Sequence, residues 1–159
     1  MEETGVERVL EIRTVGFVEI LDAPNADTLL AEYAAECSIP EIGTISPQRE
    51  TYARMESSGL MHSFGAFEGN DLVGFATVLV CVLPHYGKRI ATVESLFLAS
   101  SHRSGGYGRR LMSEIEAWAK QAQCVAMLYN ARAGSRLERL LASIPKYQRT
   151  NSVFLWSVS

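Results

Sequence analysis

Residues 102–111, HRSGGYGRRL, gather three glycines and three arginines a few positions after the apolar run VESLFL. The chemistry open to such a stretch is anion binding. The first backbone N–H groups of a helix have no intrahelical partner, and the helix dipole puts partial positive charge beside them. Glycines let the preceding turn carry those N–H groups close to a phosphate without a Cβ in the way. Arg103, ahead of the turn, can add a charge-assisted contact to the same anion. RSGGYG, set between a strand and a helix, therefore has the parts of a pyrophosphate cradle. It is not a Walker A loop, since no GK[ST] follows, and Leu111 stands where a dinucleotide fingerprint needs its third glycine. The plain alternative is a strand-to-helix turn with incidental glycines.

The elements that must position this loop follow from hydrophobic periodicity. VLEIRTVGFVEIL (9–21) reads as a first strand, and NADTLLAEYAAECS (25–38) as a helix with Asn25 or Asp22 as its cap. SPQRETYARMESSG (46–59) reads as a second helix, with Ser46 at the N-cap, Pro47 in its first turn and Gly59 at its end. A hairpin runs from MHSFGAF (61–67) through EGND into a strand over 72–83, and IATVESLFL (90–98) is the next strand. The glycine loop opens a long helix whose Leu111, Ile115, Trp118 and Ala119 form one apolar stripe. CVAMLY (124–129) is a short buried strand, SRLERLLASI (135–144) a helix stopped by Pro145, and NSVFLWSV (151–158) a final strand. This order predicts a single α/β domain over residues 1–159, its mixed sheet covered by helices on its faces.

Composition sets the outer bounds. Fifteen basic against eighteen acidic residues give a net charge of −3, which argues against an extended nucleic-acid footprint. No apolar run approaches the roughly 18–20 residues of a membrane span, and the start MEETGVERVLEI has no apolar signal core, so a cytoplasmic protein is expected. Cys37, Cys81 and Cys124 are odd in number and lack CxxC spacing, and His62, His85 and His102 share no ligand spacing. Reduced thiols and no metal are expected. The acidic residues between Asp22 and Glu56 read as solvated helix faces.

LFLASSHRSGGYGRRLM resembles the cofactor signature of the GNAT N-acetyltransferase superfamily: an apolar-x-apolar strand end, a short loop, [Arg/Gln]-x-x-Gly-x-[Gly/Ala], then a helix. Leu96, Leu98, Arg103, Gly106 and Gly108 fill those positions, with Ser100 where a proline is frequent. The order of elements from residue 9 onward is also similar to the family's. The resemblance implies a mostly antiparallel central sheet and acetyl-CoA as co-substrate. It implies that the backbone of Phe97 and Leu98 pairs with the pantetheine arm, and that N–H groups from Ser104 through Gly105, Gly106, Tyr107 and Gly108 to Arg109 hold the pyrophosphate. Asn130 falls near where a family asparagine bonds the cofactor arm. The implied reaction moves acetyl directly from the thioester to an amine of a small molecule or protein.

An amine attacks only when neutral, so such a site needs a base, an oxyanion donor and an acid for the departing thiolate. Glu94 is the candidate base. It stands alone in an apolar strand, where partial burial is expected, and at the strand position where many family members carry a catalytic glutamate. Its alternative role is a structural carboxylate paired with Arg103 or Lys88, or one that points out at the strand edge. The helix that usually carries the family's acid tyrosine, LERLLASIPKY, has Leu140 or Leu141 at that position and Pro145-Lys146 in place of Gly-Phe. Tyr129 is the substitute acid named here, with Tyr147, Ser135 and water as others and side-chain packing as the plain role of either tyrosine. One clear strand follows the last helix where the family has two, so a homodimer completing the sheet is a further expectation. Two rival readings remain: a catalytically silent acyl-CoA-binding regulatory module, and a non-enzymatic interaction domain.

Overall fold

The computed structural model describes residues 9–158. The reading of the first eight residues, and the domain's outermost ends, therefore lie outside the described residues. In chain order the elements are β1 (Leu10–Val15), α1 (Phe17–Leu21), α2 (Ala26–Cys37), α3 (Arg49–Ser57), β2 (Met61–Glu68), β3 (Asp71–Leu83), β4 (Lys88–Leu98), α4 (Tyr107–Gln121), β5 (Ala126–Tyr129) and α5 (Arg136–Ala142), with a 3-10 turn at Ser100–His102. One five-stranded sheet runs β1-β2-β3-β4-β5. Its first three pairings are antiparallel and β4–β5 is parallel. The parallel pair follows from connectivity, because α4 carries the chain back across the sheet between β4 and β5. The expected mixed, mostly antiparallel sheet flanked by helices is what the chain forms.

Two apolar layers hold the helices to the sheet. Phe17, Ile20 and Leu29 of α1 and α2 pack with Leu72, Phe75 and Phe97. Leu111, Ile115 and Ala119 of α4 pack with Phe64, Val78 and Val93. These three α4 positions are the predicted stripe, and its fourth member, Trp118, lies half-buried edge-on to Phe64.

The sequence reading departs from the structure in several places. The short strand expected to be buried, β5, has Ala126 exposed and Met127 to Tyr129 only half-buried, because it is the edge strand and pairs with β4 alone. Residues 9–21 are not one strand: β1 stops at Val15, and Phe17–Leu21 is helical. The carboxylate of Glu56 accepts the Phe17 N–H at 2.9 Å, which starts a helix there, and Phe17 and Ile20 then bury on one side. The second predicted helix begins at Arg49 with Gln48 as N-cap, because the Gln48 side chain turns back to donate to the Ser46 carbonyl. No strand forms over 151–158: Val153, Phe154 and Trp156 are 89%, 91% and 85% exposed, so no layer within the described residues covers them. Asn25 stands at the N-cap of α2, yet its side chain makes a two-way bridge to the backbone of Leu72 instead of capping the helix.

Candidate functional site

The glycine loop has the geometry its residue types require. Gly105 and Gly106 each have φ of 83°, in the left-handed region that L side chains avoid. Gly106 is the N-cap of α4 and offers no side-chain acceptor to the leading N–H groups of this 15-residue helix. A Cβ placed at Gly105, Gly106 or Gly108 would meet nothing within 4 Å. The space above the loop is open, as a bound phosphate needs. Ser104 and Arg109 are exposed along it. Tyr107 turns its side chain into the core beside Leu98, leaving its backbone to the loop.

Arg103 is held rather than loose. Its Nε donates to the Leu98 carbonyl at 2.8 Å, its Nη2 donates to Glu36 Oε1 and Oε2 at 2.8 and 2.9 Å, and the guanidinium lies 5.2 Å over the Phe97 ring. Glu32, one turn earlier on α2, accepts the Ser100 N–H at 2.7 Å, and that hydrogen bond holds its carboxyl below the ordinary range. Arg136 of α5 donates to the Arg103 carbonyl at 3.2 Å. The acidic face of α2, read from sequence as solvated, is thus what fixes the loop. Charge spacing alone does not reveal this, because Glu32 and Glu36 meet partners 68 and 67 residues away.

Next to the loop, β4 outruns its neighbour. Its last pair with β5 is Val93 with Tyr129, so Glu94 to Leu98 keep an open edge on that side. Phe97 and Leu98 lie on this open stretch. The divergence begins at a β-bulge, because β3 pairs Thr77 with Ser95 but Val78 with Val93, leaving Glu94 as the extra residue. In a regular strand Glu94 and Ser95 would face opposite ways. Here both side chains reach one atom: Thr77 Oγ1 donates to Glu94 Oε2 at 2.6 Å and shares a 2.6 Å hydrogen bond with Ser95 Oγ.

The polar row continues onto β2. Ser63, opposite Thr77, donates to Glu56 Oε1 at 2.6 Å. Ser63, Thr77 and Ser95 are the buried polar side chains among the described residues. Glu94 itself is exposed, which corrects the partial burial expected of it. Two phenols over this face stay protonated. Burial first, and then the Glu94 charge, push Tyr52 up to about 12 and Tyr33 higher still. Sequence reading missed Thr77 and Ser95, although hydroxyls inside the apolar runs FATVLV and VESLFL were the available signal.

Tyr129 is not brought to Glu94. Its hydroxyl donates to Glu116 Oε1 at 3.1 Å, on the α4 side of the sheet, and burial followed by the Glu116 charge raises its pKa. Tyr147 donates to the same oxygen at 2.5 Å, and Lys146 to Oε2 at 2.7 Å. Asn130 is exposed just past β5. The structure therefore joins Phe97, Leu98, Arg103 and the 104–109 turn into one continuous surface with Glu94 nearby, and sets Tyr129 apart.

The profile described as Acetyltransferase (GNAT) family matches residues 15–141. No curated protein sequence matches the chain. Among solved structures, the chain is similar to a ribosomal-protein-alanine N-acetyltransferase from Brucella melitensis biovar Abortus 2308, at 19% identity and a TM-score of 0.70, covering 93% of this chain and 98% of that one. It is also similar to an aminoglycoside acetyltransferase from an uncultured soil metagenomic sample, at 16% identity and a TM-score of 0.75, covering 97% and 99%. A third is a GNAT family acetyltransferase from Staphylococcus aureus, at 16% identity and a TM-score of 0.64, covering 94% and 98%. At these identities the likeness is one of fold.

Proposed function

We propose that this chain, which belongs to the acetyltransferase (GNAT) family, moves an acetyl group from acetyl-CoA to the amine of a small molecule or protein. The observation that carries the reading is the continuity of the open β4 edge with the uncapped glycine turn of α4. Acetyl-CoA supplies the acetyl thioester. The backbone of Phe97 and Leu98 extends along its pantetheine arm in the manner of an added strand. N–H groups from Ser104 to Arg109 take the pyrophosphate, and Asn130, exposed just past β5, is assigned to the cofactor arm. Arg103 serves this surface by bracing it: tied to Leu98, Glu36 and Phe97, it fixes the loop that presents the N–H groups. Glu94 takes the proton of the acceptor amine. The acid for the thiolate is not Tyr129 on this reading, because its hydroxyl is committed to Glu116, and water fills that role.

That last point also supports a second reading, a silent acyl-CoA-binding module, since no tyrosine hydroxyl hydrogen-bonds Glu94 among the described residues. One experiment separates the two. Melting temperature is followed with acetyl-CoA, with CoA and without ligand, and thiol release is then followed over a panel of primary amines. Stabilisation by both ligands with thiol release is expected. Stabilisation without release would favour the silent module, and no stabilisation would overturn both.

The protein is proposed to act in the cytoplasm, as one domain. A homodimer is supported by the exposed apolar residues Val153, Phe154 and Trp156. Sedimentation of the wild type against Phe154→Ser/Trp156→Ser tests it, and an unchanged monomeric mass in both would refute it.

A further inference from the structure

The hydrogen bond onto Glu94 has a defined sense. An ionised carboxylate only accepts, so the one proton of the Thr77 hydroxyl is committed to Glu94 Oε2. The 2.6 Å contact between Thr77 Oγ1 and Ser95 Oγ must then be donated by Ser95. The result is a directed chain, Ser95 to Thr77 to Glu94, whose two hydroxyl residues are 7% and 0% exposed and cannot turn to solvent for other partners. On β2, Ser63 stands opposite Thr77, and its own hydroxyl proton goes to Glu56. Among the described residues no other hydrogen bond reaches the Glu94 carboxylate, so Oε1 is left over. The bulge makes the arrangement available, since without the extra residue Glu94 and Ser95 could not share one partner.

We propose that Thr77 is a positioning residue for acetyl transfer, with Ser95 as its anchor: the relay holds Glu94 by Oε2 and leaves Oε1 to take the proton of the acceptor amine. Thr77 and Ser95 keep their own protons throughout. The amine proton moves to Oε1, the acetyl carbon gains the bond to nitrogen as it loses the bond to sulfur, and the thiolate leaves with its electron pair and takes a proton from water; the hydroxide so formed takes the proton from Oε1 and restores the carboxylate. An exposed carboxylate on a flexible side chain would otherwise spend its time among several rotamers, and small misplacements of a reacting group are costly in rate.

This inference rests on Glu94 being the base, so the experiment reads the two separately. Thr77→Val, Thr77→Ser, Glu94→Gln and the Thr77→Val/Glu94→Gln double variant are compared by thiol release from acetyl-CoA with a primary amine that the wild type acetylates. Valine keeps the shape of the buried side chain and removes the hydroxyl. Thr77→Val is expected to lower kcat by about tenfold or more, as loss of a hydrogen bond to a charged group implies, with KM for acetyl-CoA unchanged. Thr77→Ser is expected to restore most of kcat. The double variant should be no slower than Glu94→Gln, because Thr77 acts through Glu94. Wild-type kcat in Thr77→Val beside a disabled Glu94→Gln would overturn the positioning role alone, as would losses that multiply in the double variant. Wild-type turnover in Glu94→Gln would overturn the base instead. A crystal structure of Thr77→Val decides the positioning whichever amine is used: the Glu94 carboxylate is expected to leave its wild-type rotamer, and an unmoved carboxylate refutes the relay.

Discussion

Two glutamates, one on each side of the sheet, show how differently the same carboxylate can be used. Glu116 on α4 accepts from three side chains at once, Tyr129, Tyr147 and Lys146. Glu94 on β4 accepts from one, Thr77, and is exposed. The first has both oxygens engaged and ties residues 146–147 onto α4, so that the segment after α5 is fastened there. The second keeps an oxygen in reserve. A carboxylate with both oxygens engaged stabilises a fold but has little left to offer a substrate, whereas one held at a single oxygen is both oriented and available. Tyr129 and Tyr147, both named from the sequence as candidate acids, fall on the Glu116 side of this contrast.

The largest test of this contrast is Glu94→Gln. Removal of a general base lowers turnover by at least about 100-fold, while the melting temperature of the protein should stay close to wild type, since a single exposed carboxylate is changed. Steady-state kinetics beside a thermal melt reads both, and a collapse in stability would place Glu94 with Glu116 after all. Next comes Arg103→Glu, which turns the clamp on Glu36 into a like-charge contact beside the glycine turn. Acetyl-CoA affinity, measured by calorimetry, should fall by tens of fold, and unchanged affinity would show that the braced loop has no part in binding. Smaller again is Glu116→Ala, which strips Tyr129, Tyr147 and Lys146 of their shared acceptor. A cost of about 2 kcal/mol, a fall of several degrees in Tm, is expected from such a loss. Its kcat per folded molecule should remain within a few fold of wild type, and a collapse of kcat at full stability would return Tyr129 to the reaction.

Most of the frame and the glycine turn could be read along the chain because their signals are local. The glycine turn, the apolar stripe of α4 and the 61–83 hairpin each lie within one contiguous stretch, and their geometry follows from residue type and spacing. What stayed hidden depends on contacts between distant elements. Glu56 meeting Phe17 across 39 positions converts the second half of an apparent strand into α1. Glu32 and Glu36 look like a wet helix face until α2 is laid over Ser100 and Arg103. The relay under Glu94 needs a bulge, and a one-residue offset between two strands leaves no mark in either strand's own pattern. Residues 151–158 fail in the opposite direction, since a run of β-branched and aromatic residues expresses a capacity to pair and the described residues offer it no layer to join.

The finest test is the pH dependence of the Glu116 clamp. Burial raises its carboxyl pKa, but hydrogen bonds from Lys146, Tyr147 and Tyr129 outweigh burial, and the net shift is downward from the ordinary value of 4.5. A carboxyl whose folded value is depressed binds protons more readily in the unfolded chain. Its stabilisation is therefore whole well above 4.5, shrinks as pH falls through that value, and is gone below the depressed folded value. Comparing wild type with Glu116→Gln removes the common background, including Glu32 and Glu138, whose carboxyls are also lowered. The wild type should melt higher than Glu116→Gln by a constant margin at pH 6–7, and the margin should close as the pH drops below 4.5. Lys146 stays charged and the two phenols stay protonated throughout that range, so the closing margin reports Glu116 itself. A margin that persists unchanged under strong acid would mean that the clamp works by shape and packing, and the contrast between a carboxylate engaged at both oxygens and one engaged at a single oxygen would then lose its electrostatic basis.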